Sequence, residues 1–273
     1  MRVDTSKVRY DLGGLPPDLL DYNDNISRFY EYQKQMLSLD SDSRRIRDFL
    51  WSLEGRAWYA AFGAWSLGRR DIAREWALKN MEVVEEIFFG EWQDRVGSGN
   101  YGKELPNREY WRRVQAWKSY IEHALLWGSV LGQWDRLAKI TAYLPDDIGA
   151  DIDQSDENRC WLLLLAGVVS GRNYHELGGF SQCVLNGKKV RERLLFWTLD
   201  AILEQASEQA SDYLNDYTKR YFKVEYPRHD ISTKIALDAS VLVHWAEYSD
   251  VELQVPDKLE PHIVRLSPES AAA

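Results

Sequence analysis

Gly97, Gly99 and Gly102 spell GxGxxG, and the run Gly97–Lys103 (GSGNYGK) comes within one residue of a phosphate-gripping P-loop. A P-loop needs Ser or Thr after its lysine to hold magnesium, and Glu104 stands there instead. Both motifs also require a strand before them and a helix directly behind. Helix-like sequence precedes this run and Pro106 breaks the segment behind it, so it reads as a flexible connection. Asp146, Asp147 and Asp151 form DDxxxD, a spacing by which carboxylates on a helix hold a divalent metal, but Pro145 and Gly149 flank them. Asp151, Asp153 and Ser155 begin like a calcium loop, yet Asp156 occupies the position that needs Gly and Leu162 the position that needs Glu. A solvated acidic loop is the simpler reading of Pro145–Asp153. His123, His175, His229, His244 and His262 are scattered, and HEL at 175–177 lacks the second His of a zinc protease. His244 lies in an apolar run, where a hydrogen-bonded buried histidine is the default. No GxSxG, Cys/His pairing or paired carboxylates mark a nucleophile or general base. The expectation is a protein that is not an enzyme and carries no cofactor.

A different pattern stands out more. Asp200, Glu204, Glu208, Asp212 and Asp216 recur every fourth position along one helix-like stretch. Like charges at that spacing repel by roughly 0.2–0.5 kcal/mol per pair. The same stretch opens with Lys188, Lys189, Arg191 and Arg193, where the helix dipole prefers anions. Such a row is either a solvated face, a face answered by basic residues of a neighbouring helix, or a surface that receives a basic partner. Asp146, Asp147, Asp151 and Asp153 form a second negative surface that would supply a rim. Ala206, Ser207, Ala210 and Ser211 lie between the acids and would admit a close approach, by a partner or by another helix of the chain.

At 273 residues, with 45% hydrophobic and 28% charged residues, the chain can bury a substantial core. A net charge of −9 argues against nucleic acid or an anionic membrane as the main partner and leaves a basic protein partner compatible. Cys160 and Cys183 are too few for a disulfide framework and lack metal-ligand spacing. The opening residues lack the apolar core of a signal peptide, and the longest apolar run, Cys160–Val169, is half a membrane span. A soluble cytoplasmic protein is the expectation.

Helical signals dominate the elements that would carry these residues. Trp51, Trp58 and Trp65 are seven apart, nearly on one helical face with Leu50, Ala57, Ala61 and Ala64, which predicts core or a helix–helix seam. The spacing predicts helices near 16–38, 42–67, 71–90, 107–131, 134–144, 156–170, 173–186, 188–221 and 231–248. That near 173–186 opens on a capping box of Asn173 and Glu176. Strand-like alternation is confined to KVEY (223–226) and VELQV (251–255). Three segments echo one another as small-apolar helix, Gly, short turn and next helix: AAFGAWSLGRRDIA (60–73), HALLWGSVLGQWDRLA (123–138) and LAGVVSGRNYHEL (165–177). The period is irregular. These features predict an all-α fold of antiparallel helical hairpins, packed as a repeat-like bundle in a single domain over 1–273. A subdomain break would fall in the loop 94–106.

The Trp- and Ala-rich hairpin LEGRAWYAAFGAWSLGRRDIAREWAL (53–78) and the closing ALDASVLVHWAEYSDVELQVPDKLEPHI (236–263) occur in an order that resembles the all-helical immunity proteins of bacterial polymorphic toxin systems, immunity family forty-nine in particular. That resemblance implies a protein that binds and neutralises a cognate toxin or effector domain, with no catalytic residues. An acidic surface would suit a basic toxin. The alternatives are an enzyme whose small-molecule pocket lies between Trp-rich helices, metal-assisted at Asp146, Asp147 and Asp151, or a repeat-like scaffold or chaperone.

Overall fold

The structure is a computed structural model describing residues 28, 30, 31, 35, 43–89, 120–141, 157–172, 177–228 and 235–266. Within them the chain is all-helical, without a strand. The helices are α1 (Ser43–Ser66), α2 (Arg70–Phe89), α3 (Tyr120–Val130), α4 (Trp134–Thr141), α5 (Glu157–Val169), α6 (Gly178–Asn186), α7 (Val190–Leu203), α8 (Ser207–Val224) and α9 (Leu237–Tyr248). A 3-10 turn, Glu260–His262, comes after α9. The two alternating segments are not strands: KVEY spans the end of α8 and a turn, and VELQV is irregular. The 94–106 loop and the acidic loop fall outside the described residues, as does the Asn173–Glu176 capping box. Helix α6 begins at Gly178 with Leu177 as its N-cap and no side-chain cap.

One local device joins successive helices. After α1, Gly68 takes a positive φ of 78°, its N–H bonds the Trp65 carbonyl at 2.9 Å, and the Arg69 N–H reaches back to Ala64 at 3.0 Å. These are the paired bonds of a Schellman turn, which needs a left-handed residue and so favours Gly. Gly132 and Gly171 close α3 and α5 identically. Two more copies use no glycine. Gln205 (φ 58°) closes α7 and Asp250 (φ 55°) closes α9, with Ala206 N–H on Ala201 and Val251 N–H on Ala246. In three of the five turns the next residue but one already starts a helix. Arg69, Gln133 and Ala206 each end one helix's hydrogen bonding and accept the first bond of the next, from Ala73, Leu137 and Ala210.

The stretch expected to form one helix over 188–221 is therefore two. Gln205 turns the chain back, and α7 and α8 pack side by side as a hairpin. Nothing in ILEQASEQAS forbids a continuous helix by propensity. The break is imposed by packing, because α8 brings Ala210, Leu214, Tyr217 and Tyr221 into the interior, all buried.

The apolar interior is one continuous cluster. Helix α3 lies at its centre against α2, α4, α5 and α9, and every residue from Ala124 to Val130 is buried. Helix α1 offers α2 a face of Ala57, Ala60, Ala61 and Ala64, all fully buried, beside Trp58 and Trp65. Each buried Trp removes about 200 Å² from water, on the order of 5 kcal/mol of favourable transfer. Close approach is also needed at Gly128, where a Cβ would sit 2.6 Å from Leu137 Cδ2. Cys160 of α5 and Cys183 of α6 are joined as a disulfide across 23 residues, a closure that contributes about 3 kcal/mol.

Replacing Gln205 by Gly should stabilise the chain by about 1 kcal/mol, since it relieves a left-handed side-chain-bearing residue. Gly132→Ala should cost at least that much. Urea midpoints of the two variants check both, and a destabilised Gln205→Gly would mean that the bond Gln205 Nε2 donates to the Ser249 carbonyl outweighs the backbone conformation.

Candidate functional surface and polar clusters

The turn at Gln205 divides the acidic row into two short rows on antiparallel helices. Asp200 is half-buried on α7 and Glu204 is its exposed C-cap. Glu208, Asp212 and Asp216 are exposed along the outer face of α8, opposite buried Ala210, Leu214 and Tyr217. The Glu204/Glu208 step does not exist as a helical pair. Glu208 instead occupies the first turn of α8, where the dipole favours an anion by 0.3–1 kcal/mol, a typical figure at roughly exposed positions. Asp216 is paired with Lys219 at 2.8 Å. The small residues among the acids are taken up by the chain itself. Ala210 is fully buried, and Ser211 Oγ accepts the Gln254 N–H at 3.0 Å while donating to Ser207 O at 2.8 Å. Asp146, Asp147, Asp151 and Asp153 lie outside the described residues.

The basic residues that opened the row also have internal partners. Arg191 Nη2 donates to Asp238 Oδ2 of α9 and Nη1 to Glu192 at 3.0 Å, while Trp161 Nε1 of α5 reaches Asp238 Oδ1 at 3.4 Å. Burial alone would lower the Arg191 guanidinium, but Asp238, Tyr217 and Glu192 outweigh it and hold it above the usual arginine range. Burial pushes the Tyr217 phenol up despite Arg191 beside it. Arg193 Nη1 donates to the Gly187 carbonyl.

Hairpin geometry gathers several turns on one edge. Gln205 Nε2 donates to the Ser249 carbonyl at 3.3 Å, so exposed Glu204 and Asp250 lie on the same edge. The Gln254–Ser211 bond lays the 251–255 segment along α8, bringing exposed Glu252 towards Glu208 and Asp212. The α7 and α8 dipoles run antiparallel and largely cancel, so the field here is set by carboxylates. At the same edge Trp134 meets Trp245 and Tyr248 with centroids 5.0 and 5.1 Å away. Tyr248 is 60% exposed, the most open of the large apolar side chains described. Behind it His244 Nδ1 pairs with Glu247 at 3.0 Å, and Arg265 Nη1 donates to Glu247 at 2.5 Å. The His244 bond, with help from Arg265 and against partial burial, holds the Glu247 carboxyl below its ordinary 4.5.

A second cluster lies in the interior. Glu54 of α1 accepts from Asn80 Nδ2 of α2 at 3.0 Å and lies 2.5 Å from His123 Nδ1 of α3. Trp58 stacks on the His123 ring with centroids 3.6 Å apart. Sequence reading passes over Glu54, although one signal is available: it is an acid on the apolar face of α1, one turn from both Leu50 and Trp58. Among the described residues no group of three metal-ligating side chains comes together. Comparison of the chain with family profiles, curated proteins and solved structures finds no match.

Asp238→Ala should cost about 3 kcal/mol in denaturant unfolding, because it strands a largely buried guanidinium. Glu247 supplies a pH test. Its depressed carboxyl contributes stability that is present above pH 4.5 and lost as pH falls below it. Glu247→Gln should therefore flatten the fall of the thermal midpoint below that pH, and an unchanged slope would remove Glu247 from the account.

Proposed function

We propose that the chain is a binding protein that receives a basic partner domain on the edge formed by the α7–α8 turn, the outer face of α8 and the end of α9. The observation that carries this reading is the exposure of Tyr248 among Glu204, Asp250 and Glu252, with Glu208 and Asp212 alongside. An exposed aromatic side chain that shares an edge with exposed carboxylates suits docking onto a Lys- or Arg-rich surface. The ring contributes contact area at low entropic cost, and the acids speed encounter and exclude acidic competitors. Both sit on hairpins fixed by Schellman turns, so little ordering is lost on docking.

In this reading the chain acts as an immunity protein that neutralises a bacterial toxin domain, in keeping with the resemblance of 53–78 and 236–263 to that class. Among the described residues no helix is long and apolar enough to cross a membrane. The Cys160–Cys183 bond bears on compartment. Disulfides persist where surroundings are oxidising, so a chain held in a reducing cytoplasm would carry these thiols reduced.

The test is a pulldown with mass spectrometry, followed by titration of the captured domain at several salt concentrations. The expected partner is basic, and its affinity falls as salt rises. Reversing Glu204, Glu208 and Asp212 to Lys should weaken it at least tenfold, and Tyr248→Ala should cost about 1–2 kcal/mol of binding. A partner whose affinity ignores these changes while the fold holds would overturn the assignment.

A further inference from the structure

On the surface of α2 the chain seats one of its own cations on aromatic rings. Tyr30 and Trp76 meet edge to face with centroids 5.3 Å apart, and Lys79 Nζ lies 4.4 Å from the Trp76 centroid and 5.4 Å from that of Tyr30. The same ammonium pairs with Glu75 at 2.9 Å. Two rings and a carboxylate thus share one cation, since the negative ring face and the acid both favour positive charge. Arg70 over Trp65 and Lys258 over Phe222 repeat the ring half of this arrangement.

The edge at the end of α9 brings together the same rings and carboxylates. Trp134 and Tyr248 lie 5.1 Å apart, and Trp245 packs on both, at 5.0 and 5.5 Å. Trp245 is buried, and its Nε1 has no hydrogen-bond partner among the described residues. An unpaired buried donor costs stability that Phe would spare. What the larger indole supplies in return is contact with both neighbours, which holds the exposed phenol ring in place. No Lys or Arg among the described residues lies over Trp134 or Tyr248, and none pairs with exposed Asp135, Glu204 or Asp250. Asp135 follows Trp134 in the first turn of α4, and Asp250 stands two residues beyond Tyr248. The Gln205–Ser249 bond brings the Glu204 turn to the same edge.

We propose that Tyr248 selects an arginine of the partner, whose guanidinium stacks on the exposed phenol ring while its N–H fork holds a carboxylate of Asp250 or Glu204. This rests on the reading of the edge as the landing place of a basic domain, and it names the side chain that the edge prefers. At an exposed site a lysine ammonium keeps most of its hydration. A guanidinium is weakly hydrated, flat enough to stack on a ring and forked so as to grip a carboxylate with two parallel bonds. The acids attract either cation and steer its approach, whereas the ring discriminates between them.

The test uses the full chain and two fluorescein-labelled peptides of equal charge, hexa-arginine and hexalysine, titrated at low salt with anisotropy as the readout. The chain should bind hexa-arginine about fivefold tighter than hexalysine, the size of one exposed cation–π contact. Tyr248→Leu keeps the apolar area but loses the ring, and should bring the two affinities within about twofold, mainly by weakening hexa-arginine. Tyr248→Phe keeps the ring and should keep the preference. Glu204→Gln with Asp250→Asn should weaken both peptides. Equal binding of the two peptides, a preference that survives Tyr248→Leu, or one lost in Tyr248→Phe would each overturn the proposal. The basic-partner reading would still stand in those cases, because the acids would be holding both peptides. A chain that binds neither peptide would overturn both.

Discussion

A helix can double back within two residues only if one of them adopts the left-handed conformation and the backbone beneath it leaves room. Five turns among the described residues meet both conditions. The left-handed residues are Gly68, Gly132, Gly171, Gln205 and Asp250, and each lies four positions after a small one: Ala64, Gly128, Gly167, Ala201 and Ala246. The small residue is the one whose carbonyl accepts the back-reaching bond, so the returning chain passes directly over it. At Gly128 and Gly167 the space is already occupied, since a Cβ there would come within 2.6 Å of Leu137 and 2.4 Å of Leu177. Where a helix comes at once, as after Gly68, Gly132 and Gln205, antiparallel neighbours result and their faces meet along their length. The central burial of α3, the α7–α8 pairing and the gathering of turns on one edge all descend from this.

That rule explains what could be read from the sequence. Where the left-handed residue is Gly, the hairpin is visible, and 60–73, 123–138 and 165–177 echo one another for that reason. Gln205 carries no such mark. It sits among good helix formers, and the spacing of Asp200, Glu204 and Glu208 strengthens the impression of continuity. The cost of the break is offset elsewhere, by burial of Ala210, Leu214, Tyr217 and Tyr221, which a window of local sequence cannot register. Ala201 four positions earlier is the available clue, but an alanine in a helix attracts no notice. The acids of α8 are legible as an exposed face. The small residues between them are not assignable, because Ser211 finds its donor in Gln254, 43 positions away.

Apolar faces built from Ala, Leu and Trp tolerate sliding by a residue or a turn, and cores of that kind specify shape more loosely than register. Two buried polar clusters supply the missing direction. Glu54, Asn80 and His123 tie α1, α2 and α3 at one level, and Arg191, Asp238 and Trp161 tie α7, α9 and α5 at another. A shift of either set by one residue would bury a charge without its partner, a cost that repacked apolar faces would not offset. These clusters draw on residues 26 to 77 positions apart, so no short motif announces them.

Charge is thus handled in two ways by one chain with 43 acids and 34 Lys and Arg. Inside, carboxylates face a cation or a fixed donor: Glu54 the imidazole and Asn80, Asp238 and Glu192 the guanidinium of Arg191. Each carboxylate there is held by a fixed donor, and Arg191 offsets one of the two carboxylates that it faces. Arg191, one of the cations at the start of α7, is consumed there and cannot screen the acids beyond it. Further negative charge lies on the surface, and the α8 face with the α9 turn collects part of it. Along that face Asp216 has a lysine at 2.8 Å, whereas Glu208 and Asp212 stand exposed toward solvent. The sequence-distant contact that pins α7 to α9 thus takes up Arg191, a cation of the same hairpin as the outer row, and the field along α8 is left to the acids exposed there.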